Sequence, residues 1–309
     1  MTTIINKLLV VYDILFDEIV DPRTKNWFLI GKPFQCIFIL AVYLMFVLKW
    51  GPRFMKNRPS YNIDTIMIIY NAIQVICCAY IFIAGIIEAW GWKYKLFCEP
   101  VDYSNSKSAL EVASITYYYF LLKILDLMDT VFFVLRKKYN QISFLHIYHH
   151  AGMVILIWGA VTYVPGGHGT LVGVINSFVH TVMYSYYLIS VAMPKTKELL
   201  WIKKHVTQIQ ILQFFLCVVH MGSIAFMPNC EYPRWTAAVF LPQNLFILIL
   251  FMDFYIKTYI KKPKTTIPVT KLEEESRESD VGCNNLKGKE NHGSVQRIIK
   301  SEKIESKLI

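Results

Sequence analysis

Seven runs of roughly 20 apolar residues, each long enough to cross a lipid bilayer as a helix, fill most of the chain: 33–50, 63–87, 112–135, 142–164, 170–193, 206–226 and 237–259. In hydrocarbon every backbone N–H and C=O must be satisfied within its own segment, so each run predicts an α-helix. Ahead of them Ile4, Leu8, Val11, Leu15 and Ile19 recur at helical spacing. That pattern fits either an amphipathic helix lying along the interface or a short leader with little order. No short apolar segment with a small-residue cleavage site follows the start, so the first run is also expected to act as the signal anchor. Beyond residue 262 the chain becomes charged and poor in aromatics, with Glu273, Glu274, Glu275, Arg277 and Glu278 close together, which reads as a disordered tail. The expected organisation is an all-α polytopic membrane protein, with a leader over 1–26, a seven-helix domain over 27–262 and a tail over 263–309. Neither an internal repeat nor the pair of broken helices that marks transporters is visible.

Composition agrees. With 309 residues, 55% of them hydrophobic, and a mean hydropathy of +0.39, too much apolar surface exists for an ordinary soluble core. The net charge of +10 would suit nucleic acid, but the basic residues sit beside the apolar runs and instead report orientation. Lys49, Arg53, Lys56 and Arg58, then Arg136, Lys137 and Lys138, then Lys195, Lys197, Lys203 and Lys204, then Lys257, Lys261, Lys262 and Lys264 mark alternate loops as cytosolic. The intervening loops dilute Lys93, Lys95 and Lys107 with Glu88, Glu99, Asp102 and Glu111, hold no Lys or Arg over 163–169, and carry Arg234 alone. These loops and the N-terminus are expected to face the lumen, and the C-terminus the cytosol. The seven cysteines show neither a CxxC pair nor zinc spacing. Cys98 and Cys230 occupy the only two lumenal loops that contain cysteine, in a compartment where disulfides persist, which predicts a bond between them.

Four of the runs carry polar stripes. Lys123, Asp126, Asp129 and Thr130 stand at offsets 0, 3, 6 and 7, one face of a helix. His146, His149 and His150, three of the eight histidines, share a face at the head of the fourth run. Asn176, His180, Met183, Tyr184 and Tyr187 follow at offsets 0, 4, 7, 8 and 11, and Thr207, Gln210 and Gln213 at 0, 3 and 6. Asp129 and His149 each lie ~10 Å from the cytosolic end, so the stripes meet at one depth. Polar groups there are costly and mark a functional site by default. Plainer readings exist for some of them: Thr207, Gln210 and Gln213 as interhelical glue, Lys123 and Asp126 as a mutually neutralising pair, Met183 and the tyrosines at 117–119 as packing, and His168 and His220 as unremarkable. The histidine cluster with Asn176 and His180 resists such a reading, because buried imidazoles add little stability that Leu would not.

Three chemistries could use these groups. Imidazoles with Asp126 or Asp129 could hold iron or zinc, as in histidine-ligated di-iron desaturases and hydroxylases, although those surround two metals with several clusters. A seven-helix receptor or transporter could use the histidines as a ligand or proton site. Imidazole could also act as nucleophile or general base on an acyl substrate, with Asn176 and Tyr184 as oxyanion donors. Cys217 lies off the stripes, which leaves no cysteine nucleophile.

Taken together these motifs resemble the very-long-chain fatty acid elongase family, the membrane 3-ketoacyl-CoA synthases, over residues 21 to about 264. Asp21-Pro22-Arg23 is similar to the family's entry motif. Lys123-x-x-Asp126-x-x-Asp129-Thr130 resembles KxxExxDT, with Asp126 where Glu is usual. His146-x-x-His149-His150 matches HxxHH, Asn176-x-x-x-His180-x-x-Met183-Tyr184-x-Tyr186-Tyr187 matches NxxxHxxMYxYY, and Thr207-x-x-Gln210-x-x-Gln213 matches TxxQxxQ.

The resemblance implies an endoplasmic reticulum enzyme that condenses malonyl-CoA with a long-chain acyl-CoA to a 3-ketoacyl-CoA, CO2 and CoA, without metal or redox cofactor. It implies six helices around an acyl tunnel closed toward the lumen, with the first span outside. His149 would be nucleophile or base with His180, His146 and His150 would orient it or hold the thioester, and Asn176 and Tyr184 would stabilise the oxyanion or enolate. Lys123, Asp126, Asp129, Tyr187, Gln210 and Gln213 would contact substrate, and Arg136, Lys137, Lys138, Lys203 and Lys204 would meet the CoA phosphates. The implied partners are membrane lipid, the ketoacyl-CoA reductase, dehydratase and enoyl reductase of the elongation cycle, and a second copy in a homodimer, with no nucleic acid. Of the family's dilysine retrieval signal only Lys307 stands in a suitable place.

Overall fold

A computed structural model describes residues 2–194 and 199–261, and every regular element among them is helical. The helices are α1 (Thr2–Asp13), α2 (Phe34–Met45), α3 (Gly51–Met55), α4 (Asp64–Gly85), α5 (Lys107–Leu125), α6 (Met128–Leu135), α7 (Phe144–Tyr163), α8 (Thr170–Ala192), α9 (Leu199–Phe226) and α10 (Trp235–Tyr255). All these helices lie within one compact unit, Met1–Tyr255; the second unit begins at Ile256 and its described part holds a π-helical turn, Ile256–Ile260. Lys195, Lys197, Lys262, Lys264, Lys307 and the expected tail fall outside the described residues.

Each predicted apolar run contains helix, and among the described residues five helical stretches are long and apolar enough to cross a membrane by length and composition: Phe34–Met55, Asp64–Trp90, Phe144–Tyr163, Trp201–Phe226 and Trp235–Ile260. The third and fifth of the seven predicted runs fall short of that mark for a physical reason. The third run breaks at Asp126-Leu127 into α5 and α6, and α8 buries Asn176, Ser177 and His180. The residues that make these two segments chemically interesting are those that lower their hydropathy. On α4 and the π-helical turn that continues it, Ile86–Trp90, Ile66, Ile69, Ile73, Ile76, Tyr80, Ile83 and Ile87 are all exposed, an unbroken outward stripe of the kind that lipid would cover.

Inside, α4 lies along α8. Gly85 makes the approach possible, since a Cβ there would stand 2.5 Å from Cγ2 of Val174. Serine caps start two of the helices: Ser106 accepts from the Ala109 N–H at α5, and Ser143 accepts from the His146 N–H at α7. The second cap fixes where the histidine face begins.

One end of the bundle is fastened three ways. A disulfide joins Cys98 to Cys230, the pair that the loop charges bring to one side. The segment before α2 is stitched to the end of α7, with the Asp21 N–H donating to Thr162 O and Thr24 Oγ1 to Val161 O. Arg23 grips buried Asp21 through Nε (3.0 Å) and Nη2 (2.7 Å) and donates to the carbonyls of Asp102 and Ser104. Finally His168 and His220 stack with ring centroids 3.7 Å apart, and each Nε2–H donates to the other's backbone carbonyl at 3.0 Å. Gly167, at φ +64°, lets that loop approach Pro100, whose carbonyl oxygen would lie 2.7 Å from a Cβ.

Two measurements follow from this end. Cys98→Ser should cost about 2–5 kcal/mol, read as a lower Tm of the detergent-solubilised protein; an unchanged melt would remove the bond from the stability of the fold. Burial holds the His168 imidazole below the ordinary histidine value. As pH falls below about 6.5 the unfolded chain binds a proton that the folded chain refuses. Thermal stability should therefore decline with acid, and His168→Gln should flatten that decline.

Candidate active site

Three imidazoles occupy the first turns of α7. His146 Nε2 lies 2.9 Å from Thr130 Oγ1 of α6, which in turn lies 2.9 Å from Tyr43 OH of α2. The His146 and His150 rings stand 4.2 Å apart and those of His149 and His150 5.6 Å. His149 meets the edge of Phe214 and lines a cavity between α7, α8, α9 and α10 together with Asn176, Gln213, Gln243 and Asn244. Its Nε2 is buried with no hydrogen-bond partner. An orphan of this kind costs about 1–3 kcal/mol, a cost the fold bears at a residue of the cavity wall.

Asn176 faces the same cavity from α8, its Oδ1 accepting from Tyr119 OH at 2.7 Å. Asn244 sits two residues beyond Pro242, and its Nδ2 donates to Phe240 O. The rest of the lining is apolar. A second set of residues around Ile81, Gly85, Ala89, Val112 and Ile115 bounds an apolar cavity toward the disulfide end, and the two cavities share Val172 and Phe240 as walls.

Beside the histidines lies a buried polar network, in which Gln74 Oε1 has no hydrogen-bond partner. Lys123 Nζ is 2.8 Å from Asp126 Oδ2, with both side chains almost wholly buried. Asp126 Oδ1 accepts from Gln74 Nε2 at 2.8 Å and lies 3.2 Å from Tyr184 OH, which donates to Asp129 Oδ2 at 2.8 Å. Gln74 Nε2 also donates to Tyr70 OH, and Tyr70 OH to the carbonyl of Leu125 that the helix break sets free. Lys123 Nζ lies 3.4 Å from His180 Nδ1. In a low-dielectric interior a pair like this depends on further hydrogen bonds to the charged groups, and here Gln74 of α4 and His180 of α8 supply them.

The sequence stripes therefore converge, but not on one task. His149, Asn176 and Gln213 line the cavity. Tyr184 does not: its hydroxyl is engaged by the two aspartates. Tyr187 packs edge-on to Tyr184 at 5.8 Å, and Gln210 Nε2 reaches Met183 Sδ at 3.2 Å. Gln74, Tyr70, Tyr43 and Tyr119 were missed from sequence; the i, i+4 pair of Tyr70 and Gln74 inside an apolar run was the available signal. At the opposite end from the disulfide, Arg136 pairs with Asp64 at 3.3 Å. Lys137 takes the left-handed conformation (φ 56°) that closes α6, with Lys138 N–H returning to Phe133 O. Lys203 is half-buried and Lys204 exposed. Among the described residues no group of three or more His, Cys, Asp or Glu is arranged to hold a metal ion.

Residues 28–267 match the family model described as ELO: GNS1/SUR4 family. The chain is similar to very long chain fatty acid elongase 7 of Drosophila melanogaster, 39% identical over 80% of this chain and 75% of that one. It is similar to very long chain fatty acid elongase 7 of Rattus norvegicus, 38% identical over 79% and 89%. With very long chain fatty acid elongase 1 of Mus musculus the identity is 39% over 78% and 87%.

The buried pair has a stability signature. Lys123→Met strands Asp126 and should cost about 3–5 kcal/mol, whereas Lys123→Met with Asp126→Asn should recover a good part of it. Additive losses in thermal unfolding of the single and double variants would show that the two residues are not coupled.

Proposed function

The chain belongs to the ELO (GNS1/SUR4) family, and on that premise we propose that it is a membrane enzyme of fatty acid elongation that condenses malonyl-CoA with a long-chain fatty acyl-CoA. The observation that carries this reading is the unpartnered Nε2 of His149 at the wall of a cavity that also holds Asn176. A neutral imidazole nitrogen so placed attacks the thioester carbonyl, the C–S bond breaks, and CoA leaves with a proton while the acyl group rests on His149. Malonyl-CoA then loses CO2. The enolate so formed attacks the acyl carbonyl, the C–N bond to His149 breaks, and 3-ketoacyl-CoA is released. Asn176 donates to the oxygen on which charge develops.

The apolar cavity beyond Val172 and Phe240 suits an acyl chain, which gains about 0.8 kcal/mol for each CH2 removed from water. Arg136, Lys137, Lys138, Lys203 and Lys204 stand at the other end, where CoA phosphates would meet them. On this reading the basic end faces the cytosol and the disulfide end the lumen of the endoplasmic reticulum. The product passes to the reductase, dehydratase and enoyl reductase of the same cycle.

His149→Ala in purified full-length protein should lower condensation of labelled malonyl-CoA with a panel of graded acyl-CoAs by about 100-fold or more. A near-parental rate would remove His149 as nucleophile.

A further inference from the structure

Two histidines on different helices, His149 of the cavity wall and His180 beside Lys123, have nitrogens that are not equivalent. His149 has an unpartnered Nε2. His180 has its Nδ1 turned toward Lys123 Nζ at 3.4 Å and toward Asp126 Oδ2 at 3.7 Å. The second distance is beyond hydrogen-bond reach, so no proton on Nδ1 is bound by Asp126. Both carboxylate oxygens are in any case occupied: Oδ1 by Gln74 and Oδ2 by Lys123. The carboxylate so held faces an ammonium, and an ammonium has three N–H groups and no lone pair. Opposite such a group Nδ1 can only accept. A proton on Nδ1 would set one N–H against another.

We infer that Lys123 is a positioning residue, locked by Asp126 and Gln74, that fixes His180 as the neutral imidazole with its proton on Nε2, so that His180 serves the site as a hydrogen-bond donor and not as base or nucleophile. This rests on the elongase reading. It divides the labour between the two histidines: His149 offers a lone pair to the thioester carbon, and His180 offers an N–H to an oxygen that gains charge. The aspartate, the lysine and the glutamine act through His180 and touch no substrate. The i, i+3 spacing of Lys123 and Asp126 across the end of α5 then has a purpose beyond charge balance. It holds the ammonium on the side of α5 that faces α8.

The test uses full-length protein in lipid with 15N-labelled histidine. The His180 signals, assigned by their loss in His180→Gln, should show an unprotonated Nδ1 and a protonated Nε2 near neutral pH. A protonated Nδ1 overturns the inference. In the rate assay, His180→Gln places an amide N–H near the Nε2 position, whereas His180→Asn places one near Nδ1. Condensation by His180→Gln should stay within about tenfold of the parent, and that by His180→Asn and His180→Ala should fall about 100-fold or more, chiefly in kcat. A His180→Gln protein as inactive as His180→Ala overturns the donor role. Lys123→Met with Asp126→Asn should shift His180 to a mixture of tautomers; an unchanged 15N spectrum in that variant overturns the role of Lys123. Should the parent condense no acyl-CoA, the elongase reading fails, and the 15N spectrum of the parent still decides the tautomer.

Discussion

A buried ammonium–carboxylate pair is the constraint to which the middle of this protein is built. Two charges removed from water are tolerable only if every remaining donor and acceptor is met. Asp126 therefore takes Gln74 from α4, and the hydroxyl of Tyr184 from α8, 3.2 Å from Asp126, donates to Asp129. Three segments distant in sequence are thereby set in register. Gly85 supports this from another direction, by letting α4 and α8 run close enough for those short side chains to touch. The helix break after Leu125 belongs to the same arrangement, since the carbonyl it frees is taken by Tyr70.

The histidines use the rigidity so obtained. His146 is held through Thr130 to Tyr43, and His180 is held by Lys123, while His149 keeps one nitrogen uncommitted at the cavity wall. A reactive group is useful only when its neighbours are not free to satisfy it. Here the obvious candidates are spent elsewhere, with Tyr184 on the aspartates and Asn176 Oδ1 on Tyr119.

Much of this was legible in the sequence, and what was not has a common cause. The stripes of α5, α6, α7 and α8 could be read because periodicity determines which residues share a face, and the cysteine pair because loop charge assigns sides. Periodicity does not say which stripe a given residue completes. Lys123 and Asp126 resembled substrate contacts from their motif, yet their partners are Gln74 and His180, which only the packing of α4 against α8 discloses. Tyr119 looked like packing because an aromatic run in an apolar helix has no polar signature until its hydroxyl meets Asn176. The division of the third run into α5 and α6 was hidden for a similar reason: no Pro or Gly marks it, and a side chain from another helix caps the exposed carbonyl. In the segment before α2, the short spacing of Asp21 and Arg23 is visible, but the carbonyls of Asp102 and Ser104 that give it meaning are not.

The three fastenings at the disulfide end differ in the agent that would undo each. A thiol reductant cuts Cys98–Cys230 and leaves the rest; acid weakens the stacked imidazoles; the Arg23 clamp, being buried and bidentate, is untouched by reductant and poorly reached by salt. No single change of redox state, acidity or ionic strength releases all three. That end of the bundle has the redundancy of a structure secured against independent faults, and its failure requires two insults at once.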